Sequence, residues 1–149
     1  MQDPNNFSTS DDAEKAFYVA FQQSDIEMMM AVWANTQDIT CIHPGGTRLE
    51  GQLNIRDSWQ QIFSQDNSLK FEINQKKVIQ DDSIAIHHVI EAIYMEGELQ
   101  SEILATNVFR KENDSWHMIL HHASPELRPA ILHQEDIEVD LETKKKTFH

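Results

Sequence analysis

The chain has 149 residues, 40% of them hydrophobic, enough for one domain with one sizeable core and too apolar for a disordered polypeptide. A net charge of −13 argues against nucleic acid and anionic membrane as partners, since both need basic surface. Cys41 is the single cysteine, so no intrachain disulfide forms; no apolar run approaches the ~20 residues of a membrane span, and Met1-Gln2-Asp3-Pro4 lacks a basic, then apolar, leader, so a soluble cytoplasmic protein is expected.

Residues 1–11 are polar and expected to fray. Ser10 or Asp11 is the expected cap of a first helix, in which Ala13, Phe17, Ala20 and Phe21 recur at helical spacing. The helix should break near Gln23-Ser24. Ser24-Asp25-Ile26-Glu27 then reads as a fresh helix start with acids in the first turn. Met28, Met29 and Met30 follow, and core packing is the expectation for that run. Asp38 to His43 reads as a short strand, Pro44-Gly45-Gly46 as a sharp turn, and Arg48-Leu49-Glu50 as a second short strand. Gly51 to Ser64 reads as a third helix with Leu53, Ile55, Trp59, Ile62 and Phe63 inward. Three long strands (69–80, 83–95, 98–111) and a last one (115–123) follow, joined at Asp81-Asp82, Glu96-Gly97 and Asn113-Asp114. Residues 126–149, acidic and then Lys-rich, read as a solvated tail beyond a domain spanning 12–125. Helices followed by meandering strands make an α+β domain, with helices on one face of a curved sheet.

Both faces of the late strands are apolar. In the 83–95 strand, Ile84, Ile86, Ile90 and Tyr94 share one face, and Ala85, Val89 and Ile93 the other. In the last strand Trp116, Met118 and Leu120 alternate with Ile119. Helices cover only one face, so the other is expected to pair sheet against sheet with a second copy, as a homodimer.

Four segments, in this order, resemble the NTF2-like superfamily, in its SnoaL-like and ketosteroid-isomerase-like branch. They are Ser24-Asp25-Ile26-Glu27; Ile42-His43-Pro44-Gly45-Gly46 with Leu49-Glu50-Gly51, Ile55 and Trp59; Ala105-Thr106-Asn107-Val108-Phe109; and Trp116 to Ser124. The resemblance implies an NTF2-like cone: three N-terminal helices on a curved, mixed or antiparallel sheet around one apolar pocket, often dimeric through the outer sheet face. It also implies that His43 falls where ketosteroid-isomerase-like proteins place a general-base carboxylate. Asn107 falls where they place an acid that hydrogen-bonds the substrate oxyanion. The family's helix-one tyrosine falls on Phe17, with Tyr18 one residue away.

These positions suit acid–base chemistry. A neutral imidazole with a pKa near ~6.5 takes a proton α to a carbonyl at neutral pH, and an amide N–H donates to the enolate oxygen that develops. Strand parity places Asn107 and Phe109 inward, with His87 and Glu91 from the preceding strand and His117, Ile119, His121 and Ala123 from the last. His43, His87, Glu91, Asn107 and His121 are then expected to converge on one cavity, walled by Phe17, Tyr18, Trp33 and Trp59 and suited to a small apolar ligand bearing an oxygen. Such histidines and a glutamate also suit a metal, but no HxH or HExxH spacing ties them, and neither metal nor cofactor is expected. Cys41 reads as a small buried thiol. Two functions remain open. One is an isomerase or lyase with His43 as base and Asn107 as oxyanion donor; the other is a non-catalytic ligand-binding or dimerisation domain of the same fold.

Overall fold

In the computed structural model, structure is described for residues 4–65 and 68–126. The first helix, α1 (Ser10–Gln23), starts at Thr9. Thr9 is extended (φ −135°, ψ 159°), and its hydroxyl accepts the Asp12 N–H at 3.0 Å. Ser10 and Asp11 therefore lie inside the helix rather than capping it, because a cap residue must still be extended while its side chain reaches back. Ser24, in the left-handed region at φ +54°, ends α1 by sending its N–H to the carbonyls of Ala20 and Phe21. Asp25 then caps α2 (Ile26–Val32) by accepting the Met28 N–H at 3.0 Å. Met29 is buried, and Met28 and Met30 pack against the same core.

Strands β1 (Thr40–Ile42) and β2 (Leu49–Glu50) lead into α3 (Gln52–Phe63). The long strands β3 (Leu69–Gln80), β4 (Ile84–Met95), β5 (Glu98–Glu112) and β6 (Ser115–Pro125) follow. They form one six-stranded sheet in the order β2-β1-β6-β5-β4-β3. Only β1 and β6 run parallel, so the sheet is mixed, and three helices pack on it in an α+β arrangement. Positive φ at Glu96-Gly97 and at Asn113-Asp114 is the backbone of primed hairpin turns, whose twist matches the strands they join.

The core lies between the helices and the sheet. Phe17, Met29, Ile55, Trp59, Phe109 and Met118 are all fully buried there. Aromatic rings meet edge to face: Phe17 stands 5.5 Å from Trp59, and Phe21 4.8 Å from the same indole. Phe7, within the segment expected to fray, is tied down. Its N–H donates to Ser115 Oγ at 3.0 Å and its carbonyl accepts the Trp116 N–H at 2.9 Å. The tail reading falls, from residue 127 onward, outside the described residues.

Two expectations are corrected. Leu53 is 71% exposed rather than inward. It stands two residues before Ile55, about 200° around the helix from the Ile55–Trp59 stripe. The second correction concerns β6. Pairing runs Val108↔Leu120 and then Phe109↔Met118, which leaves Ile119 as an extra residue. This bulge inverts the parity of the strand. Trp116 and Met118 are buried before it, and His121 and Ala123 after it. His117 therefore does not join His121. It is bound to Ser115 Oγ at 2.9 Å and, through Nδ1, to the Ala31 carbonyl at 3.2 Å. Among the described residues no helix is long and apolar enough to cross a membrane.

Candidate functional site

Helix α1 presents more than an apolar stripe to the sheet. Ser10, Glu14 and Tyr18 recur every four residues on its buried face. Opposite them the β4–β5–β6 register aligns His87, Asn107 and His121 in one row, each buried, with Glu91 four residues along β4. Seven polar side chains thus meet inside the core.

Asn107 is the centre. Its Nδ2 donates to Glu14 Oε2 and to the Tyr18 hydroxyl oxygen, each at 3.0 Å. Its Oδ1 accepts from His121 Nδ1 at 2.6 Å. Both amide hydrogens and the carbonyl are engaged. Tyr18 in turn donates to Glu91 Oε2 at 2.6 Å. The acceptor on Asn107 fixes His121 as the Nδ1–H tautomer.

Burial sets the charges. It is the first cause that pushes the Glu91 carboxyl up to about 7, against the relief supplied by the Tyr18 hydroxyl. Burial first, then the nearby His43 and His122, press the His121 imidazole down to about 3, so it is neutral. The Tyr18 phenol lies well above its ordinary range through burial and then the Glu91 charge. Glu14 behaves differently. Burial would raise its pKa, but contacts from His87, Asn107 and Lys76 outweigh that and hold it below the usual value.

His43, although near enough to act on His121, makes its own contacts away from Asn107. Its Nε2 is 3.0 Å from Ser58 Oγ, which itself donates to the Ile55 carbonyl at 2.7 Å. Its ring stands edge-on to Trp59 at 4.8 Å. Burial lowers its pKa, which keeps it neutral. It borders a cavity of about 430 Å³ with Thr47, Leu49, Asn54, Ser58 and Ile62. Glu14 and Tyr18 border a different one, of about 330 Å³, with Phe71, Ile73 and Lys76.

The structure therefore brings together Tyr18, His87, Glu91, Asn107 and His121, but no contact joins His43 to Asn107. Phe17 packs on His121 at 4.8 Å and Phe109 on His87 at 4.9 Å, and Trp59 is 6.1 Å from His121. Trp33 bridges to Met118 and borders a third cavity with Arg110 and His117. Tyr18, not Phe17, carries the hydroxyl that reaches Asn107. Glu14 and Ser10 were missed. The available signal was their i, i+4 spacing to Tyr18, a charged and a polar residue on an otherwise apolar stripe. Cys41 is buried, and burial raises its thiol far above the thiolate range.

Comparison with known proteins places these features. The chain is 36% identical to a Thiobacillus denitrificans protein assigned as a calcium/calmodulin-dependent protein kinase type II association domain; the match covers 82% of this chain and 98% of that one, with a TM-score of 0.79. It is 30% identical to a Streptomyces avermitilis protein assigned as a dehydratase of the NTF2-like family, over 78% and 92% of the two chains, with a TM-score of 0.71. Among curated proteins it is 26% identical over 108 residues to the F-box protein SKIP8 of Arabidopsis thaliana, covering 72% of this chain and 46% of that protein. The chain thus spans about half the length of that relative. The fold is NTF2-like. The sequence profile of the SnoaL-like domain matches residues 11–128, and the chain belongs to that family.

Proposed function

We propose that this chain is a non-catalytic self-association domain that pairs with a second copy through the outer face of its sheet. One observation carries the reading. On the face away from the helices, Ile79, Ile86, Val108 and Leu120 line up across β3, β4, β5 and β6. Ile79 is 73% and Ile86 36% exposed. A row of apolar side chains crossing four strands in water favours burial against a matching face. The similarity to an association domain over nearly the whole of that chain supports the same reading. So does the closed state of the interior, where Asn107 has no free donor left for a substrate oxygen. A cytoplasmic location is part of the proposal, on the ground of a single, free cysteine. Ile86→Glu is the test, because Ile86 is exposed on that face. The variant should stay folded by circular dichroism and raise the dimer dissociation constant at least about tenfold. An unchanged constant would remove the outer face from the interface.

A second reading is isomerase- or lyase-type chemistry on a small apolar ligand bearing an oxygen, with His43 as base and Asn107 as oxyanion donor. It is favoured by the Tyr18 hydroxyl 3.0 Å from Asn107 and by Glu91, which holds its proton close to neutrality. It requires Asn107 to release Glu14 or Tyr18 when a ligand enters. Turnover of any ketone or hydroxy-ketone substrate should fall at least about a hundredfold in both His43→Ala and Asn107→Ala. Turnover that survives both changes ends this reading.

A further inference from the structure

The charged end of the interior network has a feature that neither reading uses. Strand β3 pairs Asn74↔Ile90 and then Lys77↔His88, so Gln75 and Lys76 are a bulge, with Gln75 in the left-handed region at φ +50°. Bulges re-aim side chains, and this one turns Lys76 towards α1. Its Nζ is 3.0 Å from Glu14 Oε1 and also contacts Asp11 Oδ1.

His87 completes the cluster from β4. Ser10 Oγ donates to Gln80 Oε1 at 2.9 Å, so it must accept from His87 Nε2, also at 2.9 Å. That places a proton on Nε2 and turns Nδ1 towards the acids. His87 is 0% exposed, and Nδ1 has no aligned hydrogen-bond partner. It lies 3.0 Å from Glu14 Oε2 and 4.0 Å from Asp11 Oδ1. Nδ1 held against a buried carboxylate needs a positive charge between them, from a second ring proton or from a bound cation. A hydrogen bond on the far ring nitrogen is also how metal-binding histidines are oriented.

We propose that Asp11, Glu14 and His87 form a binding site for a divalent transition metal of the zinc class, with the Lys76 ammonium competing for the same carboxylates. One oxygen or nitrogen from each of the three lies within 4.8 Å of the others. Tetrahedral zinc holds its donors about 3.4 Å apart, so a small inward movement of Asp11 closes the set. Asp11 is the exposed member and free to make it. Two carboxylates and an imidazole nitrogen match the donor preference of such ions. Lys76, on a long and partly exposed stem, can swing into solvent. The expectation of no metal considered histidines on separate strands; the two acids of α1 are what change the count.

Isothermal titration of the intact protein with zinc chloride tests the site, and circular dichroism checks the fold of each variant. Wild type should bind one equivalent. Asp11→Asn should weaken binding about tenfold or more. Lys76→Met should tighten it about fivefold, the value of one partly exposed ion pair that no longer competes. Equal affinity in all three proteins would show that other histidines of the eight in the chain bind the ion, and the proposal falls. It falls equally if no zinc binds, or if ¹⁵N shifts show both His87 nitrogens protonated at pH 7 and unmoved by zinc, since an imidazolium would then supply the charge.

Discussion

Relative to wild type, Glu91→Gln should gain about 3 kcal/mol of stability between pH 4.5 and about pH 8. The Glu91 carboxyl stands at about 7 in the folded chain against an ordinary 4.5. A carboxyl raised on folding binds its proton more tightly in the native state. Its contribution is therefore fully present below pH 4.5 and is lost as the pH rises towards 7, where the unfolded chain has already released the proton. Glu91 is only 2% exposed, so solvent screening does little to soften this. His121 acts in the opposite sense. Its folded pKa falls from 6.5 to about 3, so its contribution is lost as the pH drops through that interval. In wild type the two slopes oppose each other between pH 4.5 and 6.5. A glutamine still accepts the Tyr18 hydroxyl but carries no titrating proton, which leaves the rise due to His121, with a contribution of the same sign from His43. Urea denaturation of both proteins at the two pH values measures the difference directly. A gap that does not change with pH would mean that Glu91 titrates as an ordinary surface carboxyl.

Asn107→Ala should cost about 3–5 kcal/mol in the same denaturation experiment at pH 7. The loss does not come from the amide alone. Three buried partners each lose a hydrogen bond at once: the His121 Nδ1–H loses its acceptor, Glu14 Oε2 loses a donor, and the Tyr18 oxygen loses another. Each unsatisfied buried group costs about 1–3 kcal/mol, and a charged one more. The double variant Asn107→Ala, Glu14→Gln should cost less than the two single changes added together, since both act on one network. A penalty below about 1 kcal/mol would show that water replaces the amide and that the network is not closed.

Much of this fold was legible because burial imposes a period. The alternation of Ile103, Ala105, Asn107 and Phe109 placed Asn107 inside, and the turns placed His87 opposite it. The cap at Asp25 and the left-handed stop at Ser24 follow from side-chain chemistry that local sequence carries. Parity failed in β6 because Ile119 forms a bulge, and a single extra residue reverses every later side chain without any mark in the apolar pattern. The resemblance aligned a family tyrosine with Phe17. One residue is 100° of helix, and the neighbouring Tyr18 takes the hydroxyl to Asn107 instead. Lys76 was invisible for a related reason. In a regular strand the alternation of Phe71 and Ile73 would point Lys76 away from α1, and only the bulge at Gln75 turns it inward. Helical spacing did hold Glu14 and Tyr18 together, but a charged residue near a helix start also reads as part of a cap.

The self-association reading rests on the outer sheet face, and sedimentation equilibrium of the wild-type chain at about 10 μM tests it most directly. A dimer gives a molar mass twice the 17.3 kDa of one chain, falling towards a single chain on dilution and in Ile86→Glu. A mass of 17.3 kDa at every concentration would contradict it.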